Sequence, residues 1–235
     1  MNHPTVTAAI LAAAPDHARP MLTYYNESTG ERTELSAATL GNWAAKIGNY
    51  LRDELGLVAG DRVRVDLPEH WQTAAVLLGA WWAGVAVDLS DDLADQRAAF
   101  VARDRIDGRD EDEIIVVPLD PFAMGVRDLP VGISDFGESI RAHGDHFSPS
   151  GAGTDAVDTV TVSQVLAAAA AITTAGIAPG DRVLSVRGWH TADEIVANFA
   201  APLVAGASLV YVDGGADDVR LAKIAETEKA TVTWH

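Results

Sequence analysis

Cysteine is absent from all 235 residues. That one absence removes disulfides, thiolate-bound zinc, iron–sulfur clusters and a thiol nucleophile, and it suits a reducing, cytoplasmic setting. Basic residues are scarce: 17 Lys plus Arg stand against 34 Asp plus Glu, a formal net charge of -17. Nucleic acid and anionic lipid are recognised by cations that neutralise phosphates, so neither nucleic acid nor a membrane is expected as a partner, and the charge is assigned to solubility. Lysine is rarer still, occurring at positions 46, 223 and 229 alone. Long apolar runs are missing too. Residues 8–14 are apolar but lack a basic flank, which predicts a short helix rather than a signal peptide. No stretch reaches the roughly 20 apolar residues that a membrane helix needs.

What remains is an ordinary globular composition, 48% hydrophobic and 22% charged, in a chain long enough to bury a sizeable core. Strand-like and helix-like segments alternate along it. Short strands are predicted over 21–25 and 32–35. A helix capped by Ser36 runs to residue 55 with Gly56 as its stop, and a strand over 62–67 leads to a helix over 69–83 stopped by Gly84. A buried strand over 85–89, a helix over 91–103 and a strand over 114–117 follow. Residues 118–153, rich in Pro, Gly, Ser and Asp, read as irregular with one short helix over 134–141. Beyond residue 162 the alternation resumes: a helix to 175, strand 182–186, helix 192–204, strand 208–212, helix 217–227 and strand 231–234. This order predicts an α/β fold with mainly parallel sheets flanked by helices.

The chain also repeats itself. Gly60-Asp61-Arg62-Val63 returns as Gly180-Asp181-Arg182-Val183, and Ala83-Gly84-Val85 as Ala205-Gly206-Ala207. Both copies sit between a helix and a strand. The pattern reads as one domain, 1–235, built from two related βα halves at about 20–117 and about 159–235, with a connector at about 118–158. In each copy the Gly is free to adopt positive φ and the Asp can bond nearby backbone amides. A turn is a sufficient role, and neither copy is assigned a catalytic one.

The segments Leu57-Val58-Ala59-Gly60-Asp61-Arg62-Val63, Leu67-Pro68-Glu69 and Leu78-Gly79-Ala80-Trp81-Trp82-Ala83-Gly84 follow one another in a telling order. In that order and spacing the chain resembles the first half of the adenylate-forming (AMP-binding) superfamily, which includes the acyl-CoA synthetases. The run from Ile177-Ala178-Pro179-Gly180 through Pro202-Leu203-Val204-Ala205-Gly206-Ala207 resembles the portion after that family's phosphate loop. The resemblance implies ATP held by a T-S-G-T-T-G-x-P-K-G loop through backbone amides, small hydroxyls and one Lys. The matching stretch here is Pro149-Ser150-Gly151-Ala152-Gly153-Thr154-Asp155-Ala156-Val157-Asp158. Ser150, Gly151, Gly153 and Thr154 are its candidate cofactor-binding residues. Val157 stands where the Lys belongs, and Asp155 and Asp158 add charge of the wrong sign. Loss of one ionic hydrogen bond forfeits roughly 1.5–3 kcal/mol. Family members continue beyond the point matching His235 with segments for adenine, magnesium and ribose and with a closing domain. The resemblance therefore implies a short, truncated member with a degenerate phosphate loop.

Trp189-His190 follows the strand of the second half, where open parallel sheets bind ligands and where many family members line an acyl pocket with an aromatic residue and a His. Trp189 and His190 are thus the candidate ligand-pocket residues; a packed Trp beside a surface His is the plainer alternative. Gly151-x-Gly153-x-x-Ala156 partly fits a dinucleotide fingerprint, but residues 143–149 are not the apolar strand it requires. His143, Asp145 and His146 sit in a polar loop, and no metal site is assigned to them. Trp43, Trp71, Trp81 and Trp82 lie on predicted helices. Adjacent Trp81 and Trp82 cannot share a face, and an exposed one hints at a partner surface.

The functional expectation is an acyl-CoA-synthetase-like domain with no catalytic residue, cofactor or metal, retained as a ligand-binding or protein-interaction module. Two alternatives stay open: a half-enzyme that binds an acyl group or a nucleotide such as ATP or AMP and acts with a separate protein partner, and a diverged α/β enzyme using the Trp189-His190 region. The oligomeric state stays open as well.

Overall fold

Strand-forming runs alternate with helices along most of the chain, and nearly every run has found a parallel neighbour. The computed structural model describes residues 5–90 and 97–235. In chain order the elements are α1 (Val6–Ala13), β1 (Pro20–Asn26), β2 (Glu31–Ser36), α2 (Ala37–Asp53), β3 (Arg62–Asp66), α3 (Trp71–Ala83), β4 (Ala86–Asp88), β5 (Ala98–Ala102) and β6 (Glu113–Val117). Next come β7 (Ile133–Asp135), α4 (Phe136–Arg141), β8 (Asp155–Val157), β9 (Val160–Thr161), α5 (Val162–Thr174) and β10 (Arg182–Ser185). Then follow α6 (Ala192–Glu194), a π-helical stretch (Ile195–Ala200), α7 (Ala201–Val204), β11 (Ser208–Asp213), α8 (Asp218–Glu228) and β12 (Val232–Trp234). They fall into two units. One takes Gly41–Ser163 with the described residues up to Thr7; the other takes Ala8–Leu40 and Gln164–His235.

The first unit is built on a seven-stranded sheet in the order β7-β6-β5-β3-β4-β8-β9, parallel except for the β8–β9 hairpin. Helix α3 is apolar on all sides and buried almost throughout, as a helix enclosed by protein must be. His70 caps its start by accepting a hydrogen bond from the Gln72 amide (3.2 Å), and Gly84 at φ 77° ends it. Gly79 lets α3 approach α2, since a Cβ there would fall 2.5 Å from the side chain of Ile47. Trp43, Trp71, Phe100 and Phe136 form the aromatic core, with the Trp43 ring 5.5 Å from that of Trp71 and 6.0 Å from that of Phe136. Trp81 is buried and donates to Ala156 O (2.8 Å), whereas Trp82 is half-buried against Phe147.

The second unit carries a five-stranded sheet, β12-β10-β11-β1-β2, in which only β1–β2 is antiparallel. Tyr25, Leu184, Val210, Val212, Leu221 and Ile224 form a core cluster there. Asp217 caps α8 through the Arg220 amide (2.8 Å).

The repeated turn has the same wiring in both units. Gly60 N donates to Gly84 O (2.9 Å), and Gly180 N to Gly206 O (2.8 Å). The Asp61 carboxylate accepts from Val58 N (2.8 Å) and that of Asp181 from Ala178 N (2.7 Å). The Asp61 carbonyl takes Ala86 N (2.8 Å), and the Asp181 carbonyl takes Ser208 N (2.8 Å). Both leading glycines have positive φ, 100° at Gly60 and 89° at Gly180.

The structure departs from the sequence reading in three places. Of the helix expected over 91–103, residues 91–96 lie outside the described residues, and Ala98–Ala102 is a fully buried strand between β3 and β6. A central parallel strand is apolar on both faces, so its pattern does not separate from that of a buried helix. The opening hairpin, read as part of the half at 20–117, pairs instead with the later strand β11, Leu22 opposite Leu209. The connector at 118–158 holds the short helix expected over 134–141, as α4, and departs from expectation in adding two strands, β7 and β8. Among the described residues no helix is long and apolar enough to cross a membrane.

His70 generates a pH prediction. Burial pushes its imidazole down to about 3, so the folded protein keeps it neutral while the unfolded chain protonates it near 6.5. Its contribution is complete above pH 6.5 and is lost as pH falls from there towards 3, at up to about 1.4 kcal/mol per pH unit. Urea denaturation across this range should show a shallower pH dependence for His70→Gln than for the parent protein.

Candidate functional site

The C-terminal ends of parallel strands are the part of such a sheet where backbone groups and loop side chains are left to meet a ligand. In the second unit these ends bring together residues from β1, β10 and β11. Trp189, on the loop after β10, is buried, its ring 4.7 Å from that of Tyr211 and 4.8 Å from that of Phe199. Tyr211 stacks on Tyr24 across the β11–β1 register at 6.4 Å. Beside this aromatic shelf Asn26 Nδ2 donates to the Tyr24 hydroxyl and to Asp213 Oδ2, both at 3.1 Å, and the Tyr24 hydroxyl lies 3.4 Å from the same carboxylate oxygen. Burial pushes the Tyr24 hydroxyl well above its usual pKa, with the Asn26 hydrogen bond opposing. It therefore stays protonated and acts as a hydrogen-bonding group rather than as a base.

The loop that carries Trp189 is held from behind. Thr191 and Glu194 form a capping box at the start of α6, and Glu194 Oε2 accepts the amides of His190 (2.9 Å) and Thr191 (3.0 Å). Within the π-helical stretch Asn198 donates to Gly188 O (2.9 Å), and Phe199 packs on Trp189. Such a wide helical turn recurs at binding sites because it re-aims side chains. Of the two residues that the sequence singles out here, Trp189 is packed between Tyr211 and Phe199, as the plainer alternative had it. His190 is exposed. Sequence reasoning missed Tyr24, Asn26 and Asp213. The available signal was polar residues closing two strands, Asn26 before the Glu27-Ser28-Thr29-Gly30 turn and Asp213 before Gly214-Gly215; recognising it required knowing that β1 and β11 are neighbours.

The stretch matched to a phosphate loop lies in the first unit. Ser150 and Thr154 are exposed, and Gly151 and Gly153 are half-buried. Gly151 and Gly153 run against the turn that ends α3: a Cβ on Gly84 would come within 2.7 Å of Gly151 O, and one on Gly153 would meet Gly84 O and stand 3.2 Å from Gly60 N. The approach of two backbones thus requires a bare Cα at Gly84 and Gly153, whereas a Cβ on Gly151 would stand 3.8 Å from the side chain of Ala59. Residues 155–161 then form the β8–β9 hairpin, whose turn is Asp158-Thr159.

The two aspartates of this stretch have partners. Arg62 reaches from β3 to Asp88 on β4, with Nε 2.9 and 3.0 Å and Nη2 2.5 Å from its carboxylate oxygens. The same guanidinium bonds Asp155 (3.0 Å) and Asp158 O (2.5 Å). Asp158 Oδ1 in turn accepts Leu89 N (2.8 Å). Hydrogen bonding to Asp88 pushes the Arg62 pKa up, with burial opposing. Asp88 is fully buried, and a carboxylate inside a sheet is tolerated only with a cation or donors on it. His143 packs edge-on to Tyr50 (5.5 Å) and His146 is exposed; no group of residues suited to a metal ion occurs among the described residues.

Arg62→Met should destabilise the protein by about 3–5 kcal/mol, because it strands the Asp88 charge. Arg62→Met combined with Asp88→Leu should recover most of that loss, as read from urea midpoints.

No protein-family model matches the chain. Among solved structures, an acyl-CoA synthetase of Brucella canis superposes with a TM-score of 0.78 at 19% identity, over 97% of this chain and 46% of that one. The anthranilate CoA ligase AuaEII in complex with anthranoyl-AMP gives 0.77 at 14% identity over 100% and 50%, and the acetoacetyl-CoA synthetase of Streptomyces lividans 0.76 at 21% over 97% and 42%. The chain spans about half the length of these solved structures, and its fold is that of the N-terminal part of the adenylate-forming ligases. A TIGR03089 family protein of Mycobacterium tuberculosis is 43% identical over 238 residues, covering 97% of both chains, and the protein belongs to that family.

Proposed function

We propose that this protein is an acyl-CoA-synthetase-like domain that forms no adenylate and is retained to bind a small ligand or a protein partner. One observation carries the reading: the stretch aligned with the phosphate loop is taken up by backbone packing on Gly84 and by the β8–β9 hairpin. The residues of that stretch do not fit a polyphosphate. Asp155 and Asp158 bring carboxyl groups to it, and no lysine occurs between Lys46 and Lys223. Adenylate formation depends on preorganised positive charge and amides around the transferring phosphoryl group, so Ser150, Gly151, Gly153 and Thr154 retain the alignment without the chemistry.

The proposed ligand site is the aromatic cluster of Trp189 and Tyr211, with Tyr24, Asn26 and Asp213 as its polar corner. An apolar wall with a few fixed polar groups suits an acyl or aromatic ligand carrying a hydrogen-bond donor. The CoA-ligase relatives by fold, one of them solved with anthranoyl-AMP, support an acyl group as the first class to try. The setting proposed with it is cytoplasmic, with which a chain free of cysteine is compatible.

ATP–pyrophosphate exchange, assayed on the purified protein with magnesium and a panel of carboxylic acids, should stay at background. Calorimetric titration with Mg·ATP should show no saturable heat. Acid-dependent exchange would overturn the proposal, and saturable ATP binding without exchange would replace it with the half-enzyme that needs a separate chain.

A further inference from the structure

At the other end of the five-stranded sheet, where β10, β11 and β12 begin, the second unit encloses a cleft of about 610 Å³. Small-molecule sites are commonly about 300–1,000 Å³. One wall is apolar, made by Ala14, Pro15, Pro20, Met21, Ala37 and Ala207. The charges that line the cleft, Arg19 and Lys229 apart, have partners. Glu228 accepts from Arg32 Nε (2.9 Å) and Arg182 Nη2 (2.6 Å), and Arg32 also bonds Glu34 (2.6 Å). Asp181 takes Ala178 N (2.7 Å) and the Thr231 hydroxyl (2.8 Å), and Asp16 takes Ala18 N (2.9 Å).

Arg19 and Lys229 are different. Both line the cleft, both are exposed, and neither enters an ion pair or a side-chain hydrogen bond among the described residues. Eight charged side chains line the cleft, four acidic and four basic, so in a chain of net charge -17 the cleft is neutral, and Arg19 and Lys229 are the two of its cations that no carboxylate engages. Lys229 also occupies the left-handed position that closes α8, with φ 54°. Glycine is the residue that position favours.

We propose that this cleft binds a small organic anion with an apolar body, its charged group between Arg19 and Lys229 and its body along Met21 and Ala207. The site is separate from the aromatic shelf, so either can fail without the other.

Two matched probes test it: 1-anilinonaphthalene-8-sulfonate and its neutral counterpart N-phenyl-1-naphthylamine, titrated into protein carrying 13C-methyl methionine. Met21 lines the cleft and Met124 does not, so of the three methionine methyl resonances those of Met21 and Met124 report location. The sulfonate should shift the Met21 signal saturably and leave Met124 in place, and the neutral probe should bind about tenfold more weakly. Arg19→Ala combined with Lys229→Gly should weaken the sulfonate by about tenfold or more while keeping the melting temperature, since glycine suits the backbone at 229. Should the double variant fail to fold, Lys229→Gly alone carries the comparison. An unmoved Met21, joint movement of both methionines, equal binding of the neutral probe, or full affinity in the folded variant would each overturn the proposal.

Discussion

In each unit a glycine amide at the start of a strand donates to the carbonyl of the glycine that ends the next helix, Gly60 to Gly84 and Gly180 to Gly206. The aspartate that follows ties the turn to itself through its carboxylate and to the next strand through its carbonyl. This bond sets where a helix stops and where the adjacent parallel strand begins, and so it sets the register of the sheet centre. Both glycines of the pair must be free of a side chain: Gly84 and Gly206 lie at φ 77° and 85°, and a Cβ on Gly206 would stand 2.9 Å from Ala13 O. The repeat is thus conformational, and a carboxylate at its second position needs no catalytic explanation.

That same constraint shapes the stretch that resembles a phosphate loop. Because Gly84 presents a bare backbone, Gly151 and Gly153 can lie directly on it. The chain leaves that packing as a strand, with Asp155 drawn to Arg62 and Asp158 closing on Leu89. The charges that count against ATP when seen in sequence have structural partners: the Asp155 carboxylate is a second partner of Arg62, and that of Asp158 accepts Leu89 N. A glycine-rich stretch can serve close backbone approach as well as anion binding, and only its neighbours tell the two apart.

The second unit divides its polar chemistry between the two ends of one sheet. At the C-terminal end the aromatic rings of Tyr24, Tyr211, Trp189 and Phe199 pile against one another, and the π-helical stretch places Asn198 and Phe199 behind the loop that carries Trp189. At the N-terminal end Glu228 gathers Tyr25, Arg32 and Arg182. Burial opposes its ionisation, yet these hydrogen bonds hold its carboxyl below the ordinary range, which keeps a buried charge network intact.

Much of this fold was legible in residue order. Strand–helix alternation, the doubled Gly-Asp turn, the cap at Ser36 and the stop at Gly84 are local signals, decided within a few residues by backbone sterics and hydrogen bonding. The parallel α/β class follows from them. Strand partnership does not. Nothing within residues 20–26 says that they pair with 208–213, because register is chosen by which apolar faces meet across the finished sheet. The residues 98–102, apolar throughout, could not be told from a helix until β3 and β6 enclosed them. Trp189 was legible as a candidate because it follows a strand. Its companions Tyr24, Asn26 and Asp213 were not, since they come from strands far apart in sequence. Local conformation was determined by the sequence alone; which side chains share a site was decided by long-range packing.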